Sequence, residues 1–344
     1  MNKEIISNLD SNNMFDIIKD LHKHIDHSFD IIKLNRLCSE RSYKNIVISG
    51  MGGSAIGADF VKTILSGSIS IPMYVNRNYN LPNWVDEKSL VVICSYSGNT
   101  EETISSYKKA VSLNIRPIVI SSGGYILNNA IESNYMYIKM PSGIQPRAAF
   151  GYSASLLLLL FCELKIADAD LRLDLKKSKA SIEKLSLLYS EINDTNEALS
   201  FASKIYNKFP LIYGTPITDV VSLRFRCQLA ENTKILSSHF QIPEHNHNEI
   251  EGFGKMNVHN MIIVWIKDID DRKENSDRIK VTSDLLLENI PHQYFFDQSG
   301  SSLTERLFKL IYFFDWVSFY GAMFNNINPT PVNTILKLKS IMSK

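Results

Sequence analysis

The stretch Val91-Val92-Ile93-Cys94-Ser95-Tyr96-Ser97-Gly98-Asn99-Thr100-Glu101-Glu102-Thr103 constrains the fold more than any other part of the chain. Its uninterrupted apolar run reads as a strand buried on both faces, as in a parallel sheet. A hydroxyl-rich turn follows and leads straight into a helical pattern. A helix that starts at the carboxyl end of a buried strand aims its unpaired backbone N–H groups outward, where they can meet an anion. Ser95, Ser97 and Thr100 add hydroxyl donors, and Gly98 lets the backbone approach a ligand closely. No lysine or arginine lies in the turn, so this is a cradle of hydroxyls and amides without the lysine of a P-loop. Such a cradle suits the phosphate of a small soluble sugar. The plainer reading is a Ser/Gly turn that caps a helix.

The surrounding sequence repeats the motif. Asn45-Ile46-Val47-Ile48-Ser49 reads as a short buried strand, followed by the glycine-rich Gly50-Met51-Gly52-Gly53-Ser54-Ala55-Ile56-Gly57 and a helix through Leu65. Gly50, Gly52 and Gly53 imitate a dinucleotide fingerprint. However, Ala55 stands where GxGxxG needs a glycine, and no acidic residue stands out after the next strand. With Ser54 capping the helix, Gly52 and Gly53 instead form a second anion cradle. Further strands are expected at 71–75, 90–94, 117–121 and 135–139, with helices at 100–113 and 125–133. The alternation predicts an α/β fold with a doubly wound parallel sheet, its ligands lying beyond the carboxyl ends of the strands.

Upstream, Phe15, Ile18, Leu21, Ile25, Phe29 and Ile32 recur at helical spacing and predict an amphipathic helix over 13–35. Of its His22, His24 and His27, at most two share a face and no carboxylate cluster joins them. They are expected on a solvated surface rather than on a metal. Downstream, a turn-rich crossing at 141–147 precedes a long apolar helix at 148–165. Arg147 stands at the start of that helix, where the helix dipole disfavours a cation. It is therefore a candidate to face developing negative charge, the plainer alternative being a surface salt bridge.

A polar helical stretch at 168–207 then links two halves, because the pattern restarts beyond it. Strands are expected at 211–213, 234–238, 261–266 and 292–296, with helices at 219–231 and 276–289. Gly214-Thr215-Pro216 is a poorer glycine turn, and the whole reads as a degenerate duplication. A helix at 301–325 and a last helix containing Lys337 and Lys339 close the chain. Lysines in a terminal helix ordinarily do no more than complement its dipole. The expected organisation is a helical N-terminal segment (1–40), an α/β domain (41–167), a helical linker (168–207) and a second α/β domain with the C-terminal helix (208–344).

With 37 basic against 36 acidic residues, the net charge is +1, and nothing calls for nucleic acid or an anionic membrane as partner. Cys38, Cys94, Cys162 and Cys227 are scattered without a CxxC pair, as expected of reduced, mostly buried thiols in the cytoplasm. Met1 to Asp10 is mixed and polar, unlike a signal peptide. The greasiest run, Leu156 to Cys162, is too short to cross a bilayer and reads as a buried helix. A soluble, cytoplasmic protein is the expectation.

Two clusters in the second half carry proton chemistry. In Gln228-Leu229-Ala230-Glu231-Asn232-Thr233-Lys234, a carboxylate stands at a helix C-terminus, where the dipole opposes an anion. If buried, Glu231 would have a raised pKa suited to a general base; if exposed, it would pair with Lys234. Next, Pro243-Glu244-His245-Asn246-His247-Asn248-Glu249-Ile250-Glu251-Gly252 is dense in polar groups. It reads either as a metal site of His245 and His247 with Glu249 or Glu251, or as metal-free proton transfer by one histidine.

Taken together, these blocks resemble the bifunctional phosphoglucose/phosphomannose isomerases. The resemblance lies in Gly50-Met51-Gly52-Gly53-Ser54, Ser95 through Thr103, Pro146-Arg147-Ala148-Ala149-Phe150-Gly151-Tyr152-Ser153, Glu231-Asn232-Thr233-Lys234, Asn246-His247-Asn248-Glu249 and the terminal Pro331-Val332…Ile335…Leu338-Lys339. It runs from about residue 45 to the end, with every block in order. It implies two sugar-isomerase (SIS) domains and reversible conversion of glucose 6-phosphate, and of mannose 6-phosphate, to fructose 6-phosphate. The family's phosphate ligands match Gly53, Ser54, Ser95, Ser97 and Thr100, with Gly52 in the same turn. Its base matches Glu231, and its enediolate-stabilising arginine matches Arg147. The ring-opening pair matches His247 and Lys339, with Lys337 on another face of the same helix. A threonine linked in this family to acceptance of both epimers matches Thr330 or Thr334. In that family the histidine comes from the partner subunit, so a homodimer with His247 contributed across the interface is implied. No metal or organic cofactor is expected.

Other readings use the same fold. An amino-sugar phosphate isomerase would need an ammonia source, and this chain has no spare glutaminase domain. A non-catalytic sugar-phosphate regulator would ordinarily carry a DNA-binding helix-turn-helix, and no basic patch appears. A zinc-dependent mannose isomerase would use the HxH pair.

Overall fold

The computed structural model describes residues 1–34, 42–254, 258 and 260–342. Cys38 and the expected junction at 40–41 lie outside them. The chain forms two compact units, one of residues 20–182 with 301–305, the other of residues 1–19, 183–300 and 306–344.

Three helices open the chain: α1 (Lys3–Leu9), α2 (Met14–Lys19) and α3 (Leu21–Leu34). The single helix expected over 13–35 is thus broken at Asp20. Its start is fixed by Asp10, whose carboxylate accepts from the backbone N–H groups of Met14 (2.9 Å) and Phe15 (2.7 Å). Next come β1 (Asn45–Ser49), α4 (Gly52–Leu65), β2 (Met73–Asn76), β3 (Ser89–Ser95), α5 (Glu101–Ser112), β4 (Ile118–Ser121), α6 (Gly124–Glu132) and β5 (Tyr137–Lys139). The five strands pair in parallel in the order β2-β1-β3-β4-β5. That is the doubly wound order whose ligand crevice falls between β1 and β3. β3 is buried at every position, as its apolar run requires. A 3-10 turn over Pro146–Ala149 leads into α7 (Phe150–Glu163), which is buried from Phe150 through Phe161. An all-round apolar helix belongs in a core. α7 packs on both α3 and α4. Gly151 permits the first of these approaches, since a Cβ there would lie 2.8 Å from that of His24.

The 168–207 stretch holds α8 (Leu171–Tyr189) and α9 (Glu197–Ile205). β6 (Phe209–Gly214), α10 (Asp219–Gln228), β7 (Ser238–Gln241), β8 (Met261–Ile266), α11 (Lys273–Leu286), β9 (Gln293–Phe296), α12 (Leu303–Phe324) and α13 (Asn333–Met342) complete the chain. The second sheet is parallel with order β7-β6-β8-β9, the first sheet's winding short of its last strand. The expected strand at 234–238 is displaced to β7, because Lys234 adopts a left-handed conformation (φ 61°) that ends the preceding helix. α12 is long and apolar enough to cross a membrane, but most of its residues are buried within the protein. Trp316, for example, meets Phe15 edge-on at 5.0 Å between ring centroids.

Candidate functional site

In the first unit, both glycine- and serine-rich turns stand at the carboxyl ends of β1 and β3, where the winding reverses. The β3 turn is organised by its own hydroxyls. Ser95 is buried; its Oγ accepts from the N–H of Gly98 at 3.1 Å and donates to Thr100 Oγ1 at 3.3 Å. The exposed Ser97 accepts from the N–H of Asn99 at 3.2 Å. Gly98 has φ +66°, and a Cβ on it would lie 1.8 Å from the carbonyl oxygen of Gly123. Only glycine fits there.

The β1 turn corrects one expectation. Ser54 does not cap the helix; α4 begins at Gly52, with Met51 in the cap position and no side-chain cap. Ser54 lies buried in the first turn of α4. Gly53 sits under the turn that carries Arg147, since its Cβ would lie 2.8 Å from the Pro146 carbonyl oxygen and 3.2 Å from the Arg147 Cα. Thus Gly53 and Arg147, remote in sequence, are neighbours. Arg147 is 4% exposed, so the surface salt bridge is not its setting. Tyr96, between the two cradle serines, accepts from the N–H of Ile144 at 3.2 Å and ties this crossing to the β3 turn.

Two of the three histidines of α3 also differ from the expectation of a solvated surface. His22 and His24 are buried, and only His27 is exposed. The His24 ring stacks on that of Tyr152 at 4.5 Å, while Tyr152 Oη lies 3.1 Å from His27 Nδ1. Burial holds His24 neutral, with its pKa lowered to about 4 against a weaker pull from Asp20. The burial of His22 and His24 is what the polarity of imidazole concealed in the sequence.

In the second unit, Glu231 lies not at a plain helix end but within a π-helical turn over Leu229–Thr233 that continues α10. Such turns are frequent at functional sites. Glu231 is half-buried. The residues after it bolt the turn to α12: Asn232 Nδ2 donates to Ser318 Oγ at 2.9 Å, and Thr233 Oγ1 to the Ser318 carbonyl at 2.7 Å. Asn325 Nδ2 returns a bond to the Thr233 carbonyl at 3.0 Å. One turn earlier, Arg224 forks onto Asp315 of α12 at 2.9 and 2.7 Å, and Gln228 joins the same carboxylate at 3.0 Å. The sequence signal for this anchor was slight: charged residues set among the apolar positions of two helices.

The HxH pair is split by its 3-10 turn over Glu244–His247. His245 is buried, 4.4 Å from the Tyr213 ring, and burial lowers its pKa to about 4. His247 is exposed. Glu249 accepts from Tyr213 Oη at 2.7 Å. Among the described residues, no group of three or more His, Cys, Asp or Glu side chains is arranged to hold a metal ion. Every residue of α13, Thr334, Lys337 and Lys339 included, is exposed, whereas Thr330 is buried. Lys234, which sequence reasoning assigned only as a partner for Glu231, reaches the carbonyls of Glu231, Pro329 and Pro331.

Two doubly wound units, with hydroxyl-and-amide turns at the switch point of the first, define a double sugar-isomerase-domain protein. Family models agree: residues 41–160 match the SIS domain, and residues 194–342 match the bacterial phospho-glucose isomerase C-terminal SIS domain. The bifunctional phosphoglucose/phosphomannose isomerase of Caldicellulosiruptor bescii is 35% identical, over 96% of this chain and 99% of its own. That of Aquifex aeolicus is 31% identical, over 88% and 91%. This chain belongs to the bifunctional phosphoglucose/phosphomannose isomerase family. Among solved structures, a hypothetical protein from Thermus thermophilus shares the fold with a TM-score of 0.73 at 14% identity, over 98% of this chain and 93% of that one.

Proposed function

We propose that this protein interconverts glucose 6-phosphate and mannose 6-phosphate with fructose 6-phosphate. The observation that carries the reading is the near full-length relation to isomerases bearing both activities in their names.

In this reading, Gly52, Gly53, Ser54, Ser95, Ser97 and Thr100 hold the sugar phosphate, as amides and hydroxyls at a switch point are suited to do. His247 and Lys339 open the pyranose, one taking the proton from O1 and the other giving one to O5. Glu231 lifts the proton from C2 and returns it at C1 through a cis-enediolate. Its pinned, half-buried turn supports that role. Arg147 stabilises the charge that develops, a term of about 3 kcal/mol for a preorganised donor. Rotation about C2–C3 presents either epimer's proton to the same base, and Thr330 or Thr334 governs the acceptance of both. The reading includes a homodimer in which each chain lends its His247 to its partner; the exposure of that residue supports it. Cys94, Cys162 and Cys227 are free thiols, which suits the cytoplasm.

The test is fructose 6-phosphate formation by EDTA-treated protein from each aldose phosphate separately. Turnover of both is expected. Turnover of neither, with sugar-phosphate binding intact, would make the protein a sensor.

A further inference from the structure

Of the three residues to which proton transfers are assigned above, Lys234 contacts the backbone of one, Glu231, and the segment that leads into the helix of another, Lys339. Lys234 has φ 61°, in the left-handed region, where asparagine or glycine sits at lower cost. A lysine there carries a backbone cost. Its side chain donates to the carbonyls of Glu231, of Pro329 (3.3 Å) and of Pro331 (2.6 Å). The two prolines carry no N–H of their own, so their segment has fewer backbone donors with which to fix itself.

The acceptors matter more than their number. The first is the backbone of the candidate base. The last lies two residues before α13, the helix that carries Lys337 and Lys339. α13 buries none of its described side chains, so no core packing holds its length, and its placement is set at its root. Asn328 steadies the start of that root, donating to Ser11 Oγ at 2.9 Å and accepting from the Thr330 N–H at 2.9 Å. Lys234 binds its end.

We propose that Lys234 is a positioning residue: its ammonium group clips the root of α13 to the Glu231 turn and so fixes the ring-opening lysine relative to the base. The inference rests on the isomerase reading and on the assignment of Glu231. Lys234 itself touches no reacting atom. Because misplacement by about an ångström costs roughly 100-fold in rate, loss of the clip acts on turnover and leaves phosphate binding, which belongs to the other unit, in place.

The experiment compares the wild type with Lys234→Gly, Lys234→Arg and Glu231→Gln in steady-state isomerisation of both aldose phosphates, alongside thermal unfolding. Glycine accepts the left-handed backbone, so Lys234→Gly removes the clip and keeps the turn. Its kcat is expected to fall by about 100-fold with KM within about threefold and the melting temperature near that of the wild type. Lys234→Arg, which keeps a cationic donor, is expected to recover part of the rate. A Lys234→Gly enzyme with wild-type kcat, while Glu231→Gln is inactive, would overturn the clip alone. So would a rate loss matched by a loss of folded protein. An inactive wild type or an active Glu231→Gln would overturn the isomerase reading or the base assignment, and the inference with it.

Discussion

Gly53 and Pro146 lie so close that a Cβ on the glycine would stand 2.8 Å from the proline's carbonyl oxygen. The contact joins the turn after β1 to the one that carries Arg147, and both partners are backbone. A methyl group at position 53 therefore has no flexible neighbour to push aside. Gly53→Ala is expected to displace the Pro146–Ala149 turn, cost about 1–3 kcal/mol of stability and lower kcat at least about 10-fold. Gly67→Ala, with nothing within 4 Å of the added methyl, should change neither. Melting temperatures and steady-state rates of the two variants check this, and an active, stable Gly53→Ala would show that the turn can yield.

The buried pair Arg224–Asp315 gives a second expectation. Their side chains are 3% and 4% exposed and share a bidentate contact. Removing one partner strands a buried charge, at a cost of about 3–5 kcal/mol. Arg224→Met and Asp315→Leu should each lower the urea midpoint of unfolding, and the double variant should recover most of the loss. The singles should also lose activity, because the pair anchors the helix that continues into the Glu231 turn. Additive losses in the double variant would mean that the two side chains act independently and that no stranded charge underlies the single losses.

How far the sequence announced all this depends on the kind of signal. Strand β3 and the turn after it were legible because an apolar run and a run of hydroxyls are local features that parallel-sheet burial explains directly. The switch point followed from the same alternation. Ser54 was misread as a cap because the glycines before it already form the first helical residues, a matter of backbone conformation that composition does not display. Burial of His22 and His24 was hidden for another reason. Their polarity argued for solvent, while α7 packs on α3 where Gly151 leaves room. The proximity of Gly53 to Arg147 and the reach of Lys234 to Pro331 join positions remote in sequence, and no periodicity carries such information.

His24 gives the chain a pH dependence whose direction follows from burial. The unfolded imidazole takes up a proton below about 6.5, whereas the folded one, desolvated against Tyr152, does so only near 4. The unfolded state therefore binds more protons between these values. The contribution of His24 to stability is complete above about pH 6.5 and is lost as the pH falls toward 4. The gap corresponds to about 3 kcal/mol. His24→Phe, which keeps a ring against Tyr152 and removes the titration, should flatten the fall in melting temperature across this window. An unchanged slope would assign the acid sensitivity to other groups, His239 and His245 first, since burial lowers both to about 4 as well.

The second sheet repeats the winding of the first, yet its switch point is chemically opposite. After β8, where the first sheet has Ser95, Ser97 and Thr100 after β3, the chain reads Lys267-Asp268-Ile269-Asp270-Asp271. Asp268 holds Arg306 at 2.8 Å through both of its oxygens, and Asp270 joins the same guanidinium. The Asp268 backbone N–H is spent on Asp271 Oδ2 at 2.7 Å. Beside it, Thr218 Oγ1 donates to the Ile266 carbonyl at 2.7 Å and accepts from the Thr215 N–H at 2.9 Å. Carboxylates repel a phosphate, and the Arg306 guanidinium is already bidentately engaged. On the proposed reading, then, the phosphate cradle among the described residues is that of the first sheet and is not repeated at the second switch point. Calorimetric titration with a non-reacting sugar phosphate should give one equivalent per chain. Ser97→Asp, which copies the acidic character of the second turn into the first, should abolish that binding. A stoichiometry of two would mean that the second switch point opens to anions despite its carboxylates.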